Sequence, residues 1–311
     1  THDTKRSEDV RARLAVLAER PADWASWVSR ARTLAAPHRS DRLDASTEYL
    51  LWQTLVGAWP IDADRLGAYA TKAVREAKLH TTWTEPDAEY EEQVLRFVTG
   101  ITTDGEIGRH VADWLEATAP LARANILGQK LVQLTMPGIP DVYQGTELVD
   151  LFLVDPDNRQ LVDHGLRRDR LAHLDSGGRP ADLSDEKLLV TTQALRLRRE
   201  RPEAFIGPDA DYTGLTTDSD HLVAFARGAR DRPSAIVLAS RLTGTRTGRS
   251  CGDGWGDSCV ELPAGRWRDR LSGTQVEGGS CRVADALPAH ALPVALFERI
   301  AGDEVDPEGS P

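Results

Sequence analysis

Apolar positions recur with the period of an α-helix through most of residues 1–135. Val10, Leu14 and Leu17 fall on one face of a helix that Ser7 is placed to cap. Three further stripes follow at the same period: Tyr49, Trp52, Val56 and Trp59; Leu66, Tyr69, Ala73, Val74 and Ala77; and Tyr90, Val94, Phe97, Val98 and Ile101. No convincing strand interrupts residues 21–135. The pattern therefore predicts a run of helices whose aromatic stripes form a core.

The helical pattern ends within the stretch from Gln133 to Asp163. A helix is predicted over Pro120–Leu134, with its proline at the first position, and the Pro-Gly-Ile-Pro run at 137–140 stops it. Ile139–Tyr143 reads as a buried strand, and Gly145 allows a sharp turn where polar side chains begin. Polar groups gathered after a strand end suggest a site, although a charged loop there is more often a plain solvated connection.

The last third of the chain changes period. A helix is predicted from Asp185 to Arg201, with Ser184 as its cap and Pro202 at its end. Five short strand-like runs then follow at 221–228, 234–240, 259–263, 265–273 and 294–300. Their spacing predicts a small antiparallel β-sandwich, and the acidic, Gly- and Pro-rich tail after Ala301 is predicted to be disordered.

Composition narrows the class of protein. The 311 residues predict about two domains, and a net charge of -11 argues against a nucleic-acid or anionic-membrane partner. No apolar run approaches the length of a membrane span. Eight tryptophans suit sugar stacking, although Trp255 and Trp267 in the sheet region are more simply read as sheet packing. A globular protein that handles a neutral substrate is the expectation.

The cysteines and the first residue bear on location and completeness. Cys251, Cys259 and Cys281 are a sparse, odd set, which favours a reducing cytoplasm. A pairing of Cys251 with Cys259 stays open. The chain begins with Thr1 and with nothing that resembles an initiator or a leader, so a fragment of a longer protein is expected.

Two segments resemble a known family. THDTKRSED at 1–9 is similar to the fourth conserved region of the α-amylase superfamily (glycoside hydrolase family 13), and PGIPDVYQGTELVDLFLVDPDNR at 137–159 is similar to its eighth-strand region. Both resemble most the maltooligosyl trehalose synthase family, the (1→4)-α-D-glucan 1-α-D-glucosylmutases. The resemblance implies an α/β part followed by an all-β part: barrel strands 7 and 8 of a (β/α)8 barrel with a helical insertion, then an antiparallel β-sandwich.

This resemblance also implies a division of the chain. A plain barrel connection needs one helix, so the long helical stretch indicates an inserted subdomain. The expected parts are the end of strand 7 with its helix at 1–20, the insertion at 21–118, strand 8 with its loop and last helix at 119–205, the sandwich at 206–301 and the tail at 302–311.

Catalytic and donor-side residues are carried over from the matching motifs. Asp3 corresponds to the carboxylate that stabilises the oxocarbenium-like transition state, and His2 to an imidazole on the same sugar ring. Asp155 and Arg159 have the D-P-x-x-R spacing, which in the superfamily binds a sugar on the non-reducing side of the cleavage point. Their plainer reading is a salt bridge within the loop. Tyr143 is expected beside the substrate.

Four other polar residues and one tryptophan have two readings each. Lys5 and Arg6 either bind sugar hydroxyls or neutralise nearby acids. Lys78, His80 and Trp83 lie in the loop 78–87 between two predicted helices, where they either hold the terminal glucose or serve structure, with His80 capping a helix and Trp83 filling the core. The run HTTW is not a metal motif, and neither metal nor cofactor is expected.

The reaction implied by the resemblance is an isomerisation of maltooligosaccharides. The reducing-end α-1,4 linkage becomes an α,α-1,1 linkage, and a trehalose-releasing hydrolase is implied as the next enzyme. The family's nucleophile and general acid follow barrel strands 4 and 5 and are not matched here, so the isolated chain is expected to be inactive. An amylase-like hydrolase fragment and a non-catalytic glucan-binding piece remain open alternatives.

Overall fold

The structure is a computed structural model, and it describes residues 5–245 and 254–300. The chain divides into two compact units. The first comprises Thr1–Ala122 and Asp150–Val162, and the second comprises Arg123–Val149 and Asp163–Pro311. His2, Asp3, Cys251 and the tail lie outside the described residues, while Cys259 and Cys281 are free thiols.

Helices build the first unit, as the sequence predicted. They are α1 (Glu8–Glu19), α2 (Pro21–Leu34), α3 (Ala45–Ala58), α4 (Ala63–Ala77), α5 (Ala88–Thr103) and the first part of α6 (Gly105–Thr135). The Ser7 hydroxyl accepts from the Val10 amide and caps α1, which confirms the predicted cap. Aspartate carboxylates at 44, 62 and 87 cap α3, α4 and α5 in the same way, and each accepts from one or two first-turn amides.

The predicted stripes form the core of this unit. Trp52, Leu66 and Phe97 are fully buried, one from each stripe. Trp24 and Trp27, on α2, stack with their ring centroids 4.8 Å apart and close the cluster from one side. Burial of aromatic side chains on this scale dominates the stability of a small helical unit.

Pro120 does not begin a helix, contrary to the prediction. It lies inside α6, which starts at Gly105 and runs for 31 residues. The segments on both sides, EATA at 116–119 and LARA at 121–124, are strong helix formers, and proline itself has a helical φ. Local propensity on both sides therefore carries the helix through the proline.

The predicted buried strand at Ile139–Tyr143 does not form among the described residues. These residues have no regular secondary structure, and the Ile139 side chain is 97% exposed. A strand needs a neighbour to satisfy its backbone groups, and no strand of the described residues pairs with this segment.

Second-unit helices differ in two details from those expected. The last helix, α8, spans Leu183–Glu200, and its cap is Asp182, whose carboxylate accepts from the Asp185 amide. Ser184, the predicted cap, instead accepts from the Val149 amide at 3.2 Å. A further helix, α7 (His164–Asp175), was not predicted, because its pattern has almost no apolar face.

One antiparallel sheet makes up the β region. Its strands are β1 (Tyr212–Gly214), β2 (Leu222–Gly228), β3 (Pro233–Ser240), β4 (Cys259–Asp269), β5 (Gln275–Arg282) and β6 (Val294–Arg299), in the order β1-β2-β3-β6-β4-β5. A short helix, α9 (Val283–Ala286), follows β5. The antiparallel prediction is confirmed, but two predicted runs join into β4 across an irregularity between Leu262 and Arg266, and the polar strand β5 was missed.

The sheet packs on both of its faces. Alternate residues of β3 such as Val237 contact the helices α6 and α8, while Ile236 and Leu238 contact a cluster that contains Trp255 and Trp267. Both tryptophans are buried, which confirms their reading as sheet packing. Among the described residues the six strands belong to one sheet, and not to two stacked sheets. Within the described ranges, no helix is long and apolar enough to cross a membrane.

Candidate functional site

Segment 150–162 of the first unit is held against α4 by an ion pair. The Arg65 guanidinium donates from Nε and Nη2 to the two Asp157 oxygens, each at 2.8 Å. The Leu153 amide donates to Asp157 Oδ2 at 2.7 Å. Burial alone would raise the pKa of Asp157, but the hydrogen bonds from Arg65 and Leu153 hold it below its ordinary value. A bidentate pair of this kind fixes direction as well as distance.

A cavity of about 370 Å³ lies between α4 and this segment. Its walls are Asp64, Arg65, Ala68, Tyr69 and Lys72 from the helix, and Val154, Asp155, Pro156, Asp157, Arg159 and Gln160 from the segment. The Lys72 ammonium donates to the Asp155 carbonyl at 2.9 Å. Carboxylate, amide, ammonium and guanidinium groups around one apolar hollow suit a small ligand rich in hydroxyl groups.

Asp155 and Arg159 are brought together at this cavity. Arg159 Nη2 donates to Asp155 Oδ2 at 2.8 Å, so the salt bridge of the plainer reading is present. The two side chains nevertheless stay 40% and 72% exposed, and both line the cavity. Sequence reasoning missed Arg65, Lys72 and Asp157. The seven-residue spacing of Arg65 and Lys72 on one helical face was the available signal.

Lys5 and Arg6 also reach this part of the unit. Lys5 forms an ion pair with Glu76, near the end of α4. Arg6 donates from Nη2 to the Thr54 hydroxyl at 2.9 Å, and its backbone forms an antiparallel bridge with Leu153. The chain after His2 and Asp3 is therefore fastened directly to segment 150–162.

The loop 78–87 is anchored at its base. Lys78 has a left-handed backbone with φ 57°, which ends α4. The Thr81 hydroxyl donates to Glu91 at 2.6 Å, and Arg75 forms a bidentate pair with the same carboxylate at 2.8 and 2.6 Å. Hydrogen bonds from Arg75 lower the pKa of Glu91. The base is thus fixed by charged groups of α4 and α5.

The tip of this loop is exposed. Trp83 is 57% exposed, with the Arg75 guanidinium 4.9 Å from its ring centroid, so it does not fill the core. Leu79, in the same loop, is 71% exposed. His80 is not a helix cap, since its Nε2 lies 3.5 Å from the Asp44 carboxylate that caps α3. An aromatic face and an imidazole on one exposed loop suit a sugar ring.

Beneath His80 lies a buried tyrosine. The Tyr90 hydroxyl donates to Asp44 Oδ2 at 2.7 Å and lies 2.9 Å from the Thr47 hydroxyl. The His80 ring is 4.7 Å from the Tyr90 ring. Burial raises the pKa of Tyr90 to about 12, and the neighbouring Asp44 adds to the increase. Tyr90 therefore stays neutral and supports His80 from below.

Tyr143 and its neighbours belong to the second unit. The Tyr143 carbonyl accepts from the Thr146 amide at 3.2 Å and from the Thr146 hydroxyl at 2.7 Å, in a tight turn. Arg167 donates to Glu147 at 3.2 Å and to the Gly145 carbonyl at 2.6 Å, which holds this turn against α7. In the described ranges no group of three or more metal-ligand side chains is present.

Comparison with known proteins gives a consistent picture. No family model matches the chain. It is 39% identical to the putative maltooligosyl trehalose synthases of two Mycobacterium tuberculosis strains, over 96% of this chain and 37% of those proteins. The solved maltooligosyltrehalose synthase of Arthrobacter ramosus matches with a TM-score of 0.84 at 39% identity, over 96% of this chain and 38% of that one. This chain is homologous to the maltooligosyl trehalose synthases.

A more distant relative has the same fold. The Sulfolobus tokodaii structure described as a hypothetical maltooligosyl trehalose synthase matches with a TM-score of 0.73 at 26% identity, again over 96% of this chain. The match corresponds to a C-terminal portion of the synthases, and the chain spans about 37% of the length of the curated relatives.

Proposed function

We propose that this chain forms part of a glucan mutase that converts the reducing-end α-1,4 linkage of a maltooligosaccharide into an α,α-1,1 linkage. The observation that carries the proposal is the match to the Arthrobacter ramosus synthase, at 39% identity and a TM-score of 0.84 over 96% of the chain. Substrate and reaction class follow from the names of these relatives, and a maltooligosaccharide is the proposed ligand.

The proposed reaction is a retaining transfer. A carboxylate nucleophile attacks C1 of the second glucosyl unit, and the C1–O4 bond breaks while a general acid protonates O4 of the released glucose. The O1 hydroxyl of that glucose then attacks C1 of the glucosyl-enzyme. Its proton passes to the deprotonated general acid and the C1–carboxylate bond breaks, so the net change is an isomerisation. We assign nucleophile and acid to the portion of the relatives that this chain does not match. Asp3 and His2 are the residues of this chain proposed to contact the reacting ring.

Two regions of the first unit are proposed to hold the two sides of the substrate. Asp155 and Arg159, at the cavity of about 370 Å³, fix the glucan on the donor side. Lys78, His80 and Trp83 cover the released glucose on the acceptor side. We include Lys5, Arg6 and Tyr143 in the substrate contacts.

The barrel assignment is part of the same proposal. We infer that residues 139–143 form strand 8, and the residues before Ser7 the end of strand 7, when the rest of a barrel supplies neighbouring strands. The 97% exposure of Ile139 supports this inference, because an apolar side chain of a strand is normally covered. A cytoplasmic location and a trehalose-releasing hydrolase that takes the product complete the proposal.

A fusion protein tests the function. In it this chain replaces the corresponding C-terminal portion of the Arthrobacter ramosus synthase, and the unaltered synthase is the control. Maltohexaose is supplied, and loss of reducing ends and release of glucose are measured on samples whose cooperative unfolding shows that they are folded. Non-reducing product without free glucose supports the mutase. Free glucose alone indicates a hydrolase, and a folded, inactive fusion indicates a non-catalytic piece.

A further inference from the structure

Helix α4 does more than contribute to the helical core. We propose that Arg65, assisted by Lys72, is the positioning residue of segment 150–162 and fixes where Asp155 and Arg159 present their charges to a sugar. The inference rests on the proposed function only for the identity of the ligand. Neither residue needs to touch the sugar for this role.

The backbone of Arg65 is fixed by the cap of α4, and its side chain binds segment 150–162. Its amide donates to Asp62 Oδ1 at 2.8 Å, in the cap of α4, so its backbone is fixed in the first helical turn. Its guanidinium then binds both Asp157 oxygens and, from Nη2, the Leu151 carbonyl at 3.3 Å. Three contacts from one rigid, planar group determine the orientation of the segment relative to the helix.

Asp157 passes this constraint to the residues on either side. Its Oδ2 accepts from the Leu153 amide at 2.7 Å, and its Oδ1 lies 3.4 Å from Gln160 Nε2. Its side chain is only 14% exposed, so little of the carboxylate is left for a ligand. Asp155 and Arg159 lie between these attachment points and remain exposed, which separates the group that positions from the groups that bind.

Lys72 adds a second attachment two helical turns further on. Its ammonium donates at 2.9 Å to the backbone carbonyl of Asp155, whose side chain is proposed to bind sugar. Arg65 and Lys72 are seven residues apart on α4, so both project from the same face. The segment is therefore held to α4 near its start, at Leu151, and at its middle, at Asp155 and Asp157.

An ion pair that only stabilises the fold would have the same geometry as the pair of Arg65 with Asp157. The first unit contains a second ion pair that serves as a comparison. Arg75 forms an equally close bidentate pair with Glu91, also from α4, but this pair anchors the loop 78–87. Removing either arginine deletes the same chemical group from the same helix. The two variants consequently differ in which segment is released.

The first experiment is amide hydrogen exchange on the 311-residue chain, comparing Arg65→Ala, Arg65→Lys and Arg75→Ala. We expect Arg65→Ala to reduce protection of the Leu153 amide and its neighbours to residue 159 by tenfold or more, and Arg65→Lys to restore part of it. Arg75→Ala should leave that segment unchanged and release the Asp87 amide, which donates to Thr81. Equal protection of segment 150–162 in Arg65→Ala and the parent, or equal loss in Arg75→Ala, overturns the proposal.

The second experiment measures maltohexaose kinetics in the fusion protein. We expect Arg65→Ala to raise KM about tenfold with a change of less than about threefold in kcat, because the binding groups are displaced and the reacting groups are not. Arg65→Lys should recover part of the loss. Reduced protection with an unchanged KM overturns the positioning role, and formation of non-reducing product by the parent fusion in that case leaves the proposed function intact.

Discussion

The two regions proposed to bind sugar are built in opposite ways. In segment 150–162 the presented groups are charged, Asp155 and Arg159, and the segment is tied to α4 at three residues, 151, 155 and 157. In the loop 78–87 the presented groups are an aromatic ring and an imidazole, and the base is tied to the carboxylate of Glu91 through Thr81. Charged groups demand a fixed ligand orientation, whereas an aromatic face does not.

This difference matches two different tasks in the proposed reaction. The glucan on the donor side must stay in place while one bond breaks and another forms. The released glucose must turn, so that O1 replaces O4 at the reacting carbon. A stacked ring can rotate against an aromatic face without losing contact, because stacking depends on the separation of the planes more than on rotation within them. We therefore associate the first region with holding and the second with turning.

The largest expected effect lies in neither region and sets the scale for both. In the fusion protein Asp3→Asn should lower turnover by about two to four powers of ten, because one preorganised transition-state contact is worth roughly 3 to 5 kcal/mol. Thermal unfolding should be nearly unchanged. Near-normal turnover in this variant would mean that His2 and Asp3 do not contact the reacting ring, and the contrast between the two binding regions would then lose its reference point.

How much of the fold followed from sequence depends on how local the cause is. The helical core followed, because period and burial agree at residues such as Trp52 and Phe97. The cap at Ser7 also followed from one residue and its neighbours. Strand formation at Ile139–Tyr143 did not, because a strand exists only with partners, and its apolar pattern says nothing about whether they are present.

The same distinction between local and long-range causes applies to the candidate-site residues. Asp155 and Arg159 were found through a motif that carries their spacing, and the structure places both at one cavity. Arg65 was missed, because its importance comes from Asp157, 92 positions further along the chain. Trp83 fitted two environments equally well in sequence, and only its 57% exposure separates them. Long-range pairing and exposure are set by the fold and have no local signature.

The next prediction concerns the pH dependence of stability, which differs between the two regions. Asp157 and Glu91 have lowered pKa values, so their contributions to stability are lost in both regions as the pH falls through the folded-state pKa. Tyr90 adds an alkaline effect beneath the loop 78–87. Its pKa rises from 10.0 to about 12, which is about a hundredfold in the ionisation equilibrium. The contribution of neutral Tyr90 to the free energy of unfolding is complete below pH 10 and is lost as the pH rises towards 12.

Tyr90→Phe provides the control for this effect. The thermal unfolding midpoint of the parent chain should decrease as the pH is raised from 10 to 12. The variant should show a smaller decrease over that interval. The phenolate absorbance of the folded parent should likewise show one tyrosine that ionises late. Parallel midpoint curves for parent and variant would show that Tyr90 is not protected from ionisation, and the support beneath His80 would be in doubt.

On the donor side the expected effect is about tenfold. Asp155→Ala should lower kcat/KM for maltohexaose in the fusion protein by about that factor, since one hydrogen bond to a charged group is worth about 1.5 kcal/mol. The ratio of free glucose to non-reducing product should not change. Asp23→Ala is the matched control, because Asp23 also pairs with a nearby exposed arginine, Arg20, but lies outside the cavity. Equal losses in the two variants would remove Asp155 from the substrate contacts.

The smallest effect is the most diagnostic, because it concerns the product and not the rate. If the loop 78–87 holds the released glucose, weakening it gives water more time to reach the glucosyl-enzyme. Trp83→Ala and His80→Ala should therefore each raise the ratio of free glucose to non-reducing product by about fivefold, which corresponds to about 1 kcal/mol of lost contact. Leu79→Ala, a truncation of an exposed apolar side chain in the same loop, should change the ratio least.

Measuring both the product ratio and the rate tests the comparison between the two regions. Donor-side variants should lower kcat/KM at a constant ratio, and acceptor-side variants should change the ratio with a smaller loss of rate. A constant ratio across Trp83, His80 and Leu79 variants, with all of them merely slower, would make the loop 78–87 structural. Its exposed tryptophan would then have to be explained by a surface that it covers elsewhere, and a hydrolase with a well-tied donor site would account for the remaining observations.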